Sequence, residues 1–204
     1  PPAFFTINRK IDTKLIFEEV PFHVHVEITN QGRATGKVHY KEGVSDEIII
    51  VDGALEREIE LHPGETRGFS YTCYCQKIGK HTLFTQQMNY REKVKGWDDL
   101  SDTSITCRKA SAPKIECSRH YRFAPDGIEF LIRLKNIGKK IARNVTLSEN
   151  LKTKDKKEKY TLKIKENIFS GIEKTLSCKF TSVSFEEVLQ PEKTEVIFLD
   201  DKGK

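Results

Sequence analysis

The chain has 204 residues, 37% hydrophobic and 32% charged, with a formal net charge of +5. That balance describes globular domains with strongly charged outer faces and excludes a disordered or collagen-like chain. No stretch approaches the roughly 20 apolar residues of a membrane-spanning helix. The length suits two compact domains, each large enough to bury a core. No secretory leader is recognisable, and the opening Pro1-Pro2-Ala3, without a methionine, reads as part of something longer.

In chain order, Phe22, Val24, Val26 and Ile28 alternate with His23, His25, Glu27 and Thr29, the period-2 pattern of a half-buried strand. Asn30-Gln31-Gly32 turns the chain, and Val38 and Tyr40 resume the alternation. Ile48 to Val51 is a short β-branched strand stopped by the turn pair Asp52-Gly53. After His62-Pro63-Gly64-Glu65, the residues Phe69, Tyr71, Cys73 and Cys75 share one face of a long strand. Gly79 restarts the chain, and Leu83 with Phe84 packs in the next strand. Trp97 precedes the last strand of this half, where it packs over its own domain or anchors a partner.

The same order then recurs. Phe130, Ile132 and Leu134 alternate up to Asn136-Ile137-Gly138; Val145 and Leu147 follow, then a lysine-rich hairpin with Tyr160, Leu162 and Ile164. Leu176, Cys178 and Phe180 take the inward positions of Phe69, Tyr71 and Cys73, and Val196 and Phe198 make the last strand. Phe185 to Leu189 is the one segment that reads as a helical turn. The copies are offset by about 106 residues, the size of one β-sandwich domain. The expected fold is therefore all-β: two tandem sandwiches, residues 1–110 and 111–204, joined at Lys109-Ala110-Ser111-Ala112-Pro113.

Charge divides unequally between the halves. Residues 1–103 carry 13 Lys+Arg against 16 Asp+Glu, whereas residues 104–204 carry 22 against 14. The excess gathers at Lys152, Lys154, Lys156, Lys157 and Lys159, which reads as a solvated edge that resists aggregation or as a contact for an anionic surface. Nucleic acid is not expected, because no aromatic stacking platform or binding motif accompanies the charge. Asn144-Val145-Thr146 is an N-glycosylation sequon with Asn144 facing outward by alternation.

The side chains capable of chemistry form no familiar constellation. Five cysteines, Cys73, Cys75, Cys107, Cys117 and Cys178, leave at least one thiol unpaired in a monomer. Cys73 and Cys75 fall on a core face, where cysteine acts as a small hydrophobe, and their spacing is wrong for a zinc knuckle. A disulfide involving Cys107 or Cys117 stays open. His23 and His25 share the polar face of one strand and His39 faces outward on the next; these strands are expected in opposite sheets, so the three imidazoles read as separate surface residues. No convincing Gly-x-Ser-x-Gly, Cys-His or Ser-x-x-Lys signature and no glycine-rich phosphate loop is present, and neither enzyme chemistry nor any metal or cofactor is expected.

Val26-Glu27-Ile28-Thr29-Asn30-Gln31-Gly32 and Ile132-Arg133-Leu134-Lys135-Asn136-Ile137-Gly138, with Leu61-His62-Pro63-Gly64-Glu65 and Ile78-Gly79-Lys80-His81-Thr82-Leu83, resemble CARDB-like and related Ig-like modules of archaeal and bacterial envelope proteins. The resemblance implies two tandem immunoglobulin-like β-sandwich domains without catalytic function: a spacer or protein-interaction segment of a larger extracellular or envelope protein. Its partners would be a protein or an anionic cell-surface component, with membrane association supplied only by flanking segments. At Ser170-Gly171-Ile172 the second copy departs from the expected Pro-Gly-Glu. The alternatives are an accessory domain pair of an enzyme and a cytoplasmic two-sandwich adapter of arrestin-like form.

Overall fold

The computed structural model describes residues 2–91, 102–153, 157–181, 188–191 and 195–199. Their regular structure is all strand, arranged in several sheets, with no helix among the described residues. The chain splits into two compact units, Pro1–Lys109 and Ala110–Lys204.

The first unit holds β1 (Phe5–Ile11), β2 (Ile16–Phe17), β3 (Phe22–Asn30), β4 (Gly36–Val44), β5 (Ile48–Asp52), β6 (Glu56–Leu61), β7 (Thr66–Cys75), β8 (Gly79–Tyr90) and β9 (Thr103–Arg108). One sheet has the order β1-β3-β7-β5 and the other β2-β9-β8-β4-β6. Among the described residues, β2 and β9 alone pair in parallel. The inward residues of the alternating runs, Val24, Val26 and Ile28 on β3, Phe69 to Cys75 on β7, Val38 and Tyr40 on β4, and Leu83 and Met88 on β8, make one cluster drawn from both sheets. Each such side chain contributes about 1.5–3 kcal/mol of transfer free energy, which fixes which face of each strand points inward. Gly53, at φ +92, ends β5 where the Asp-Gly pair was expected to turn the chain.

The second unit holds β10 (Ile115–Ala124), β11 (Gly127–Asn136), β12 (Arg143–Thr153), β13 (Lys157–Lys163), β14 (Glu173–Thr181), β15 (Val188–Pro191) and β16 (Glu195–Leu199). Its sheets run β10-β11-β14 and β13-β12-β15, with β16 also on β12. Ile128, Phe130, Ile132 and Leu134 pack with Val145, Leu147, Cys178 and Phe180 in its core. Val188 and Leu189 pair as strand β15 against β12, not as a helical turn, because the unpaired edge of β12 offers them a ladder. Phe185 to Glu187 lie outside the described residues.

The repeated Asn-x-Gly turns out to be a buried polar hub. Asn30 is 0% exposed; its Nδ2 donates to the carbonyls of Ala34 (2.8 Å) and Leu61 (3.0 Å), and its Oδ1 accepts from Gly32 N (2.9 Å). Its own carbonyl accepts from Gly64 N at 2.8 Å, and its amide donates to Glu65 O at 3.0 Å. Asn136, also 0% exposed, repeats the pattern with Lys140 O, Ile168 O, Gly138 N, Gly171 N and Ile172 O. The glycine is required in each hub. A Cβ on Gly32 would lie 2.2 Å from Pro2 O, and one on Gly138 would lie 2.2 Å from Ala112 O.

Candidate functional site

In the first unit, alternation along β1 and β4 places two charges on inward positions, Arg9 and Glu42. Glu42 is 0% exposed, and it meets Arg9 through Nε–Oε1 at 2.7 Å and Nη2–Oε2 at 3.0 Å. The Tyr40 hydroxyl donates to Glu42 Oε2, the Tyr71 hydroxyl donates to Oε1 at 3.1 Å, and Arg9 Nη2 also reaches Tyr40 (3.1 Å) and Thr85 (3.2 Å). Burial alone would lower the guanidinium's pKa, but the hydrogen bond and charge of Glu42 outweigh it and hold Arg9 above its ordinary value. Burial and then the Glu42 charge push the hydroxyls of Tyr40 and Tyr71 up, so both stay protonated donors.

The second unit carries the counterpart. Arg9 faces Val26 and Val26 faces Phe69; Arg119 faces Ile132 and Ile132 faces Leu176. Arg119 Nη1 donates to Glu149 Oε2 at 2.7 Å, and Glu149 is 0% exposed. Leu147 and Cys178 stand where the first unit has Tyr40 and Tyr71. Burial and then the charge of Glu149 raise the Cys178 thiol to about 11. The sequence pattern did not single out either pair; the available signal was a charge on an inward position of an alternating run, twice in each half. The pairs fasten strands across each core; Arg9 and Glu42 are sealed from solvent, whereas Arg119 is part-exposed beside a buried Glu149.

On the outer face of β3, His23 Nδ1 and Thr72 Oγ1 share a hydrogen bond of 2.7 Å, and His25 Nδ1 and Ser70 Oγ one of 2.8 Å. His23 Nε2 stands 4.0 Å from Asp12 and His25 Nε2 3.8 Å from Glu27. A hydroxyl, an imidazole and a carboxylate thus come together twice, yet on an open, flat sheet face. His39 lies in the other sheet, bonded to Glu56 at 2.5 Å. Among the described residues no group of three or more His, Cys, Asp or Glu is disposed to hold a metal ion.

The expected lysine-rich hairpin is present as β12 and β13, with Lys152 directly opposite Lys157 and Lys159 opposite Asn150. Lys159 is exposed. Lys154 and Lys156 lie outside the described residues, as does Trp97. Asn144 is exposed at the start of β12 with φ +51, a left-handed conformation that asparagine tolerates. All five cysteines carry free thiols; Cys117 is exposed and the others are buried.

No family model matches the chain, and no curated protein matches it. Among solved structures it is similar to a protein of unknown function from Porphyromonas gingivalis W83, at 12% identity and a TM-score of 0.31, over 85% of this chain and 83% of that one.

Proposed function

We propose that the chain is a non-catalytic pair of tandem Ig-like β-sandwich modules, of CARDB-like type, serving as a spacer or protein-interaction segment of a larger cell-envelope protein. One observation carries this reading: the two units share their internal fastenings, the Asn hub and the buried Arg–Glu pair, while their surfaces diverge. A repeated interior with independent exteriors lets each module carry its own contacts on a common fold. The hydroxyls of Ser70 and Thr72 tie β7 to β3 through His25 and His23.

The second unit's surface favours an anionic cell-surface component as one contact. The lysine-rich strands β12 and β13, whose register sets Lys152 opposite Lys157 and which carry the exposed Lys159, supply positive charge for that contact. The test is fractionation of native host cells probed with an antibody raised against this chain. A signal in the envelope fraction, in a band larger than this chain, is expected. A soluble cytosolic band of this chain's own mass would overturn the reading and favour the arrestin-like adapter.

A further inference from the structure

Cys75 ends β7 and Cys107 lies in β9, strands that belong to different sheets of the first unit. Both side chains are in the core, 0% and 3% exposed. The segment after β2 clamps the two strand ends together. Glu18 N donates to Arg108 O and Glu19 N donates to Cys75 O, each at 2.8 Å, so adjacent residues hold the two strands. Ile16 pairs directly with Cys107. Within this clamp the Cys75 and Cys107 thiols are near enough for each to shift the other's ionisation, and Cys107 Sγ donates to the Arg108 carbonyl at 3.8 Å. Two buried cysteines whose strand ends are held by adjacent residues of one segment meet the first requirement of a disulfide, a short backbone separation.

We propose that Cys75 and Cys107 are a disulfide site that cross-links the two sheets of the first unit when the chain folds in contact with a low-molecular-weight disulfide. One cysteine thiolate attacks a sulfur of the external disulfide, giving a mixed disulfide and releasing one small thiolate. The second cysteine thiolate attacks the protein sulfur of that mixed disulfide, the protein S–S bond forms, and the second small thiolate leaves. Two cysteine thiols are oxidised, one external disulfide is reduced to two thiols, and the cysteine protons pass to the departing thiolates. Burial raises the pKa of both thiols, so the closed unit is a poor nucleophile and cross-linking belongs to the folding stage. Once formed, the bond is shielded from reductants. This site is independent of the envelope reading above.

The test is refolding of the reduced, unfolded chain in a buffer of reduced and oxidised glutathione, followed by alkylation in denaturant and peptide mapping. Alkylation at Cys73, Cys117 and Cys178 alone is expected, with one peptide joined to that of Cys107. Cys73 shares a tryptic peptide with Cys75, so variants assign the bond: Cys73→Ala keeps the cross-link, whereas Cys75→Ala and Cys107→Ala each abolish it. The linked wild-type chain melts several degrees above the same chain refolded and kept reduced. Five alkylated thiols, a glutathione adduct without a cross-link, or a cross-link that survives Cys75→Ala would each overturn the proposal.

Discussion

Arg9 and Glu42 approach from opposite sheets of the first unit and lock as a bidentate pair with side chains 1% and 0% exposed. Stripping water from both charges costs much of what their attraction returns, so the pair stabilises little relative to a well-packed apolar one, but breaking it is costly. Its directional contacts with Tyr40, Tyr71 and Thr85 admit one alignment of the sheets.

Glu42→Ala should therefore destabilise the first unit by about 3–5 kcal/mol, leaving Arg9 buried and two hydroxyls without their acceptor. Urea denaturation of the variant measures this. The double variant Arg9→Met, Glu42→Leu should recover part of the loss, and a strictly additive double variant would contradict the pairing.

Asn30→Ala removes the donors that satisfy Ala34 O and Leu61 O, and Asn136→Ala does the same to Lys140 O and Ile168 O. An unsatisfied buried carbonyl costs about 1–3 kcal/mol, so each variant should lower stability by at least about 2 kcal/mol. Aspartate should not rescue either site, because it supplies no N–H donor. Circular-dichroism melts of both variants and of Asn30→Asp make the comparison.

Thiol reactivity should separate the cysteines sharply. In freshly reduced folded protein at mildly alkaline pH, Cys117 alone should react quickly with a disulfide reagent, since it is exposed while the other four are buried. Burial, then the charges of Asp12 and Glu42, push the Cys73 thiol up to about 12. A thiol held neutral in the folded chain favours folding at low pH, and that contribution fades as pH rises through its unfolded value of 9.0 towards 12. Alkaline loss of structure should therefore coincide with release of the four slow thiols.

At acid pH the direction reverses. Glu27 is held below its usual value by hydrogen bonds from Lys10 and Asn8, Glu58 by Lys37, Glu65 by the His62 amide, Asp126 by Lys179, and Glu129 by Ser177 and Arg122. These carboxylates favour the folded state above their unfolded values, and that contribution is lost as pH falls through 4.5 for the glutamates and 3.8 for the aspartate. The melting temperature should be nearly flat from about pH 7 to pH 5 and decline below. Because the groups are solvent-exposed, added salt should shrink the effect.

Much of the scaffold was legible in the residues, since period-2 alternation has one physical solution at a half-buried strand and Asp52-Gly53 has few conformations. The edge strands β1 and β10 escaped because Arg9 and Arg119 interrupt their inward faces with charge. That interruption was itself the sign of the buried pairs, but recognising it requires knowing which distant carboxylate arrives opposite. Asn30-Gln31-Gly32 was legible as a turn; its role as a hub was not, because Leu61 O and Glu65 O come from another strand end.

Ala110 to Pro113, which the composition marks as a connector, is fastened to the second unit. Ser111 O accepts from Lys140 N at 3.0 Å, Ser111 Oγ accepts from Lys139 N at 3.2 Å, and the Ala112 carbonyl rests where a side chain on Gly138 would stand. Cutting the chain into separately expressed halves should therefore be done ahead of Ala110. A cut after Pro113 would hand the first half a useless tail and leave the second with an open slot over its own glycine.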